Sequence, residues 1–108
     1  MANLYKNAFY DPAVTTPVTV YTAPVEKTAL IKNIQLTNES GSINVQVYVT
    51  DTSATTEYEI SHSTMSARST ENFAKGSIVL EAGDLIKIQA ATANTVTGVI
   101  SVLEISYA

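Results

Sequence analysis

Ile43-Asn44-Val45-Gln46-Val47-Tyr48-Val49-Thr50 alternates β-branched and polar residues without a break. Successive side chains of a strand point to opposite faces, so Ile43, Val45, Val47 and Val49 share one face, and Asn44, Gln46, Tyr48 and Thr50 the other. The stretch reads as a half-buried strand with one face on a core and one toward water. Turn residues bound it: Asn38-Glu39-Ser40-Gly41-Ser42 before, where Gly41 is free to take positive φ, and Asp51-Thr52-Ser53-Ala54-Thr55 after.

The same grammar runs outward in both directions. Toward the N-terminus, Thr28 to Asn38 reads as a longer strand; Leu30, Ile34 and Leu36 share one parity while Ile31 takes the other. That break predicts a bulge or burial of both faces. Val18-Thr19-Val20-Tyr21 reads as a first strand and Ala23 to Lys27 as a loop. Toward the C-terminus, a strand is expected near 56–62, then a loop over 63–70 with Met65 tucked inward. A short strand at 71–73, an apolar one at 77–80 and another at 85–89 follow, with Glu81-Ala82-Gly83-Asp84 as a tight turn. Val96 to Tyr107 is apolar on both parities, as in a strand covered on both faces. About eight strands at roughly 8–12-residue spacing predict an all-β antiparallel sandwich, jelly-roll or immunoglobulin-like, with both strand orders open.

Residues 1–16 stand apart. They lack sustained alternation and contain Asp11-Pro12, yet Tyr5, Phe9 and Tyr10 are three of the chain's eight aromatic residues. Aromatic rings bring large contact areas and are enriched at interfaces. This segment reads as an extended N-terminal arm before a single domain at 17–108, with Tyr5, Phe9 and Tyr10 as candidate interface residues. The arm docks either on a neighbour or back on its own sandwich as an edge strand.

Composition narrows the function. Of 108 residues, 45% are hydrophobic and 15% charged, against a usual charged share of about 25%. Ser and Thr fill the polar positions, and hydroxyls cost less to desolvate at a contact than ions do. The net charge is −4 and the six basic residues are scattered, which argues against nucleic-acid binding. There is no cysteine, so disulfides and thiolate metal sites are excluded. No apolar run is long enough to span a bilayer, and Met1 to Asn7 does not read as a secretory signal.

Candidate chemistry is sparse. His62 is the only histidine and cannot alone supply the ligand set of a metal cupin. Ser61, Ser63 and Ser66 lie near it, but no Gly-x-Ser-x-Gly elbow is present. Glu57 and Glu59 share one strand face, the pattern of a solvated outer surface opposite inward Tyr58 and Ile60. Asp51, Glu81 and Asp84 lie in turns without calcium-loop spacing. Asn38-Glu39-Ser40 is a glycosylation sequon that reads as a turn. The expectation is no enzyme, no metal and no cofactor. A carbohydrate- or receptor-binding module is the alternative, with Tyr21, Tyr48, Tyr58 and Tyr107 as stacking residues in place of the absent Trp.

Three stretches carry a resemblance: Pro17-Val18-Thr19-Val20-Tyr21-Thr22-Ala23-Pro24, Thr28-Ala29-Leu30-Ile31-Lys32-Asn33-Ile34-Gln35-Leu36-Thr37-Asn38 and Leu80-Glu81-Ala82-Gly83-Asp84-Leu85-Ile86-Lys87-Ile88-Gln89-Ala90. Over about residues 17–107 the chain resembles small β-sandwich virion proteins of tailed bacteriophages. The resemblance implies a non-enzymatic head-decoration, cement, neck or tail component, made in a bacterial cytoplasm and ending in the virion. Its implied partners are its own copies, as a trimer or hexamer, and other virion proteins. It transfers no catalytic residue.

Overall fold

The computed structural model describes residues 3–11 and 14–106. Among these residues there are nine strands: β1 Asn3–Tyr10, β2 Val18–Thr22, β3 Lys27–Asn38, β4 Ile43–Asp51, β5 Thr56–Met65, β6 Thr70–Asn72, β7 Ile78–Leu80, β8 Leu85–Ala90 and β9 Val96–Ser106. Among the described residues, no helix is long and apolar enough to cross a membrane.

The strands form two antiparallel sheets. The first runs β1-β9-β3-β6, with β7 also pairing β3; the second runs β2-β8-β4-β5. From β1 to β4, each strand lies in the opposite sheet from its predecessor. That alternation is the winding of a jelly roll, in which β6 and β7 are two pieces of one edge position. An immunoglobulin-like domain instead places its first two strands in one sheet. The strand order thus decides between the two architectures that the sequence leaves open.

The core follows from the alternation. Val45, Val47 and Val49 face Ala90, Ile88 and Ile86 across the β4–β8 ladder. Against them, Ile31, Ile34, Leu36, Ile100 and Val102 of the first sheet are fully buried. The parity break in β3 is a bulge between Ile31 and Asn33, which returns Ile34 and Leu36 to the core face. Gly98 of β9 pairs with Leu36, and a Cβ there would meet the Gln35 carbonyl oxygen and the Leu36 side chain. Close backbone approach is the reason for glycine at this point of the strand.

Three local expectations need correction. β5 does not end near residue 62; its ladder with β4 continues to Met65, which is fully buried as expected. Tyr58 and Ile60 are not inward core residues but stand 54% and 42% exposed. Their end of β5 is an outer margin, where the far edge of the other sheet is broken into the three-residue strands β6 and β7 and gives little cover. Among the glycines, positive φ falls on Gly83 and Gly76, not on Gly41.

Two buried polar residues organise the loops. Asp84 accepts hydrogen bonds from the backbone N–H of Thr52 and of Glu81, each at 3.1 Å. It joins the β4–β5 and β7–β8 turns. Asn38 donates to the carbonyls of Gly41 (2.7 Å) and Ser66 (3.1 Å) and accepts from the N–H of Ser40 (3.1 Å). Such local amide–backbone bonds define Asx-type turns, which accounts for the residues read above as a sequon and as a turn carboxylate.

Candidate interaction surfaces

β1 is an edge strand. It pairs antiparallel with β9 over its whole length, from Asn3 opposite Ile105 to Tyr10 opposite Gly98. Alternation sorts its aromatic residues. Tyr5 and Phe9 lie on the outer face, 77% and 72% exposed, while Tyr10 points into the core and is 2% exposed. Tyr5 and Phe9 therefore remain on the surface, whereas the ring of Tyr10 packs inside its own sandwich. The Tyr10 hydroxyl has no formed hydrogen bond. Burial pushes its pKa from 10.0 up to about 12, opposed in part by the Ala90 backbone.

One row of the first sheet's outer face is apolar across its width. Register aligns Tyr5 with Leu103, Leu103 with Leu30, and Leu30 with Val79, in a row spanning β1, β9, β3 and β7. A second row sets Phe9 beside Val99. Between them lie Asn7 and Ser101, which line a shallow groove with Tyr5 and Lys32. No carboxylate lines that groove.

The outer face of the second sheet differs. Its polar groups are engaged with one another. Lys87 pairs with Glu57 at 3.1 Å, Gln46 donates to Glu59 at 2.9 Å, Tyr48 to Gln89 at 2.9 Å and Thr64 to Asn44 at 2.7 Å. Glu57 and Glu59 both face outward, in no cleft. The Tyr48 pKa is raised, first by desolvation and then by these two carboxylates.

The residues of interest for catalysis do not converge. His62 lies 3.1 Å from Glu59 on the outer face, while the same alternation turns Ser61 and Ser63 toward the opposite side. Both oxygens of Asp84 are taken by backbone N–H groups. Among the described residues, no three His, Cys, Asp or Glu side chains gather as a metal site. Of the tyrosines considered for stacking on sugars, Tyr21 and Tyr48 are hydrogen-bonded and partly buried, Tyr58 is exposed at a margin, and Tyr107 lies outside the described residues.

One constellation was absent from the sequence reading. Glu104 of β9 is 1% exposed and faces inward at one end of the sandwich. It accepts a 2.6 Å hydrogen bond from the Tyr21 hydroxyl of β2, and lies 3.4 Å from the Lys27 Nζ of β3 and 3.7 Å from the Lys6 Nζ of β1. Burial alone would raise its pKa. The Tyr21 hydrogen bond and the two ammonium groups overcome that and hold the carboxyl below its ordinary value. Tyr21 shifts the other way, raised by its burial and by Glu104. The cluster ties the two sheets together and pins the first strand. Its signal in the sequence is a lone carboxylate inside Val102-Leu103-Glu104-Ile105.

Comparison with known proteins matches no family model and no curated protein. Among solved structures, the chain is similar to a subunit of Bacillus endospore appendages, described as a novel family of disulfide-linked pili. That match has a TM-score of 0.52 and 13% identity, and covers 98% of this chain and 89% of the other. A chain of infectious bursal disease virus, Gt strain, aligns with a TM-score of 0.32 and 10% identity over 96% of this chain and 30% of that one, too low to support any comparison. At 13% identity, the first likeness establishes the shared sandwich architecture.

Proposed function

We propose that this chain is a non-enzymatic structural subunit that assembles with copies of itself. The observation that carries this reading is the outer surface at β1. Two aromatic rings stand three-quarters exposed, Tyr5 at 77% and Phe9 at 72%, at the rim of a sheet face crossed by an apolar row. Contiguous exposed apolar surface of this kind marks contact surfaces. Low surface charge makes such contacts less dependent on salt.

The finer reading is a virion component of a tailed bacteriophage, in head decoration, cement, neck or tail. It rests on the sequence resemblance over about residues 17–107. The likeness to a pilus subunit fits a structural role, but with one difference. This sequence has no cysteine, so it forms no disulfide links of that kind. Trimers or hexamers and contacts with other virion proteins belong to this proposal, as does the β1 arm as the contacting element.

Light scattering across a concentration series tests it. A discrete oligomer or a growing assembly is expected, and Tyr5→Ser with Phe9→Ser should weaken it while leaving the melting temperature nearly unchanged. A wild-type chain that stays monomeric throughout would refute self-assembly. A saturable signal on a glycan array, insensitive to those substitutions, would favour a binding module instead.

A further inference from the structure

The exposed large apolar side chains are not scattered. Eight stand exposed among the described residues. Leu4, Tyr5 and Phe9 belong to β1, and Val14 to the segment that follows it. Tyr58, Ile60 and Val79 belong to β5 and β7, and only Val25 lies in a turn. The sheet order places these two groups at opposite margins. β1 and β2 are the terminal strands of their sheets on one side and contact each other. β5 is terminal on the other side, where β6 and β7 form the far edge of the first sheet, and residues of β5 and β6 line one shallow groove.

From this distribution we infer that copies of the chain join head-to-tail, the β1 margin of one against the β5 margin of the next. The inference rests on the reading of the chain as a self-assembling subunit, and adds which surfaces meet and what symmetry follows. Two different patches on opposite sides make a heterologous contact, which closes into a ring or continues as a filament. A two-fold dimer would instead need one self-complementary patch.

Charge favours the same pairing. Lys32 lies in the groove beside Tyr5, where no carboxylate is present, and makes no ion pair among the described residues. Next to Tyr58, Glu57 is already paired with Lys87, but Glu59 has only Gln46 and His62 as partners. Lys32 and Glu59 thus give the two apolar patches one complementary pair of charges, at margins that also carry Asp11 beside Phe9 and Lys75 beside β5, and such a pair sets orientation between partners. Each margin also carries a long unpaired strand edge, eight residues in β1 and ten in β5. Free edges of this length invite pairing with another chain unless something covers them.

Complementation tests the inference. One variant carries Tyr5→Ser and Phe9→Ser, the other Tyr58→Ser and Ile60→Ser. All four side chains are exposed, so each variant should keep the wild-type melting temperature. Each alone should be monomeric, with association weakened at least ~10-fold. Mixed in equal amounts, they should form a 1:1 dimer and nothing larger, because each still owns one intact margin. A second pair guards against damage to β5: Lys32→Glu and Glu59→Lys should each weaken assembly, and the two together in one chain should restore it.

Wild-type assembly with no dimer in the mixture, or with both margin variants assembling normally, would overturn the head-to-tail contact while leaving self-assembly intact. A wild-type chain that remains monomeric would overturn both.

Discussion

Replacing Glu104 with Gln tests whether the buried carboxylate acts as a charge or only as a shape. The amide nearly matches the carboxylate in size, and its oxygen can still accept from the Tyr21 hydroxyl, now 2.6 Å from Oε2. What is lost is the charge. A hydrogen bond to a charged group contributes ~1.5–3 kcal/mol against ~1 for a neutral one, so the Tyr21 bond weakens by about 1 kcal/mol. The ammonium groups of Lys6 and Lys27, at 3.7 and 3.4 Å, are 48% and 30% exposed and regain water easily. Each is therefore worth at most ~0.5 kcal/mol. Relief of burying a charge offsets part of the loss. The expected net is a destabilisation of ~1 kcal/mol at pH 7, or about 4–8 °C in melting temperature for a domain of this size. The pH profile is more diagnostic. A carboxyl whose pKa is depressed by folding contributes stability that is present above its unfolded value. That stability is lost as pH falls through the lower folded value. Urea unfolding followed by circular dichroism between pH 2.5 and 7 (~0.5-unit steps) should show a shallower acid decline for the variant than for wild type. A variant as stable as wild type at pH 7, with an unchanged acid limb, would refute the reasoning.

Three further outcomes follow from the packing. Gly98→Ala should cost ~1–3 kcal/mol in chemical denaturation, because its methyl meets backbone at Gln35 and not merely a movable side-chain end; a neutral result would show that β3 and β9 separate easily there. Tyr10→Phe removes a buried hydroxyl without a formed partner and should stabilise by ~1 kcal/mol at pH 7. Because folding raises the Tyr10 pKa from 10.0 to about 12, the wild type keeps its full stability below about pH 10 and loses ~3 kcal/mol as pH rises through the folded value. The variant should show a smaller alkaline loss in melts from pH 9 to 12, with the Tyr21 share remaining. Asp84→Ala strands the N–H groups of Thr52 and Glu81 and should cost ~1–3 kcal/mol, with faster amide exchange at both positions; unchanged exchange at Thr52 would mean that Asp84 does not hold that turn.

The β4 alternation and its flanking turns were enough to read an all-β sandwich, because period-two burial is a local property. The bulge in β3 was also legible, since Ile31 breaks parity with Ile34 and Leu36. Strand order was not. It depends on which edges meet across long separations, such as Asn3 with Ile105, and no short window encodes that. The end of β5 was misplaced because Ser61, Ser63 and Thr64 alternate in position but not in polarity. Tyr58 and Ile60 have the composition of core residues, but they sit at a margin where the far edge of the opposite sheet is only the short strands β6 and β7. Tyr5 and Phe9 could be singled out by composition, while the burial of Tyr10 follows from its register against Gly98. Glu104 was passed over because its three partners lie 77 or more positions away in the chain.

The pairing of β1 with β9 also bears on synthesis. β1 is made well before β9, its sheet neighbour among the described residues. Until β9 emerges, β1 waits without that partner, and their ladder closes loops that run from Tyr10–Gly98 out to Asn3–Ile105. Such distant closures slow folding relative to local contacts. During that interval an unpaired β1 faces the β9 of another copy as well as its own. On a polysome, where nascent copies lie close together, intramolecular closure and exchange between chains become competing rates.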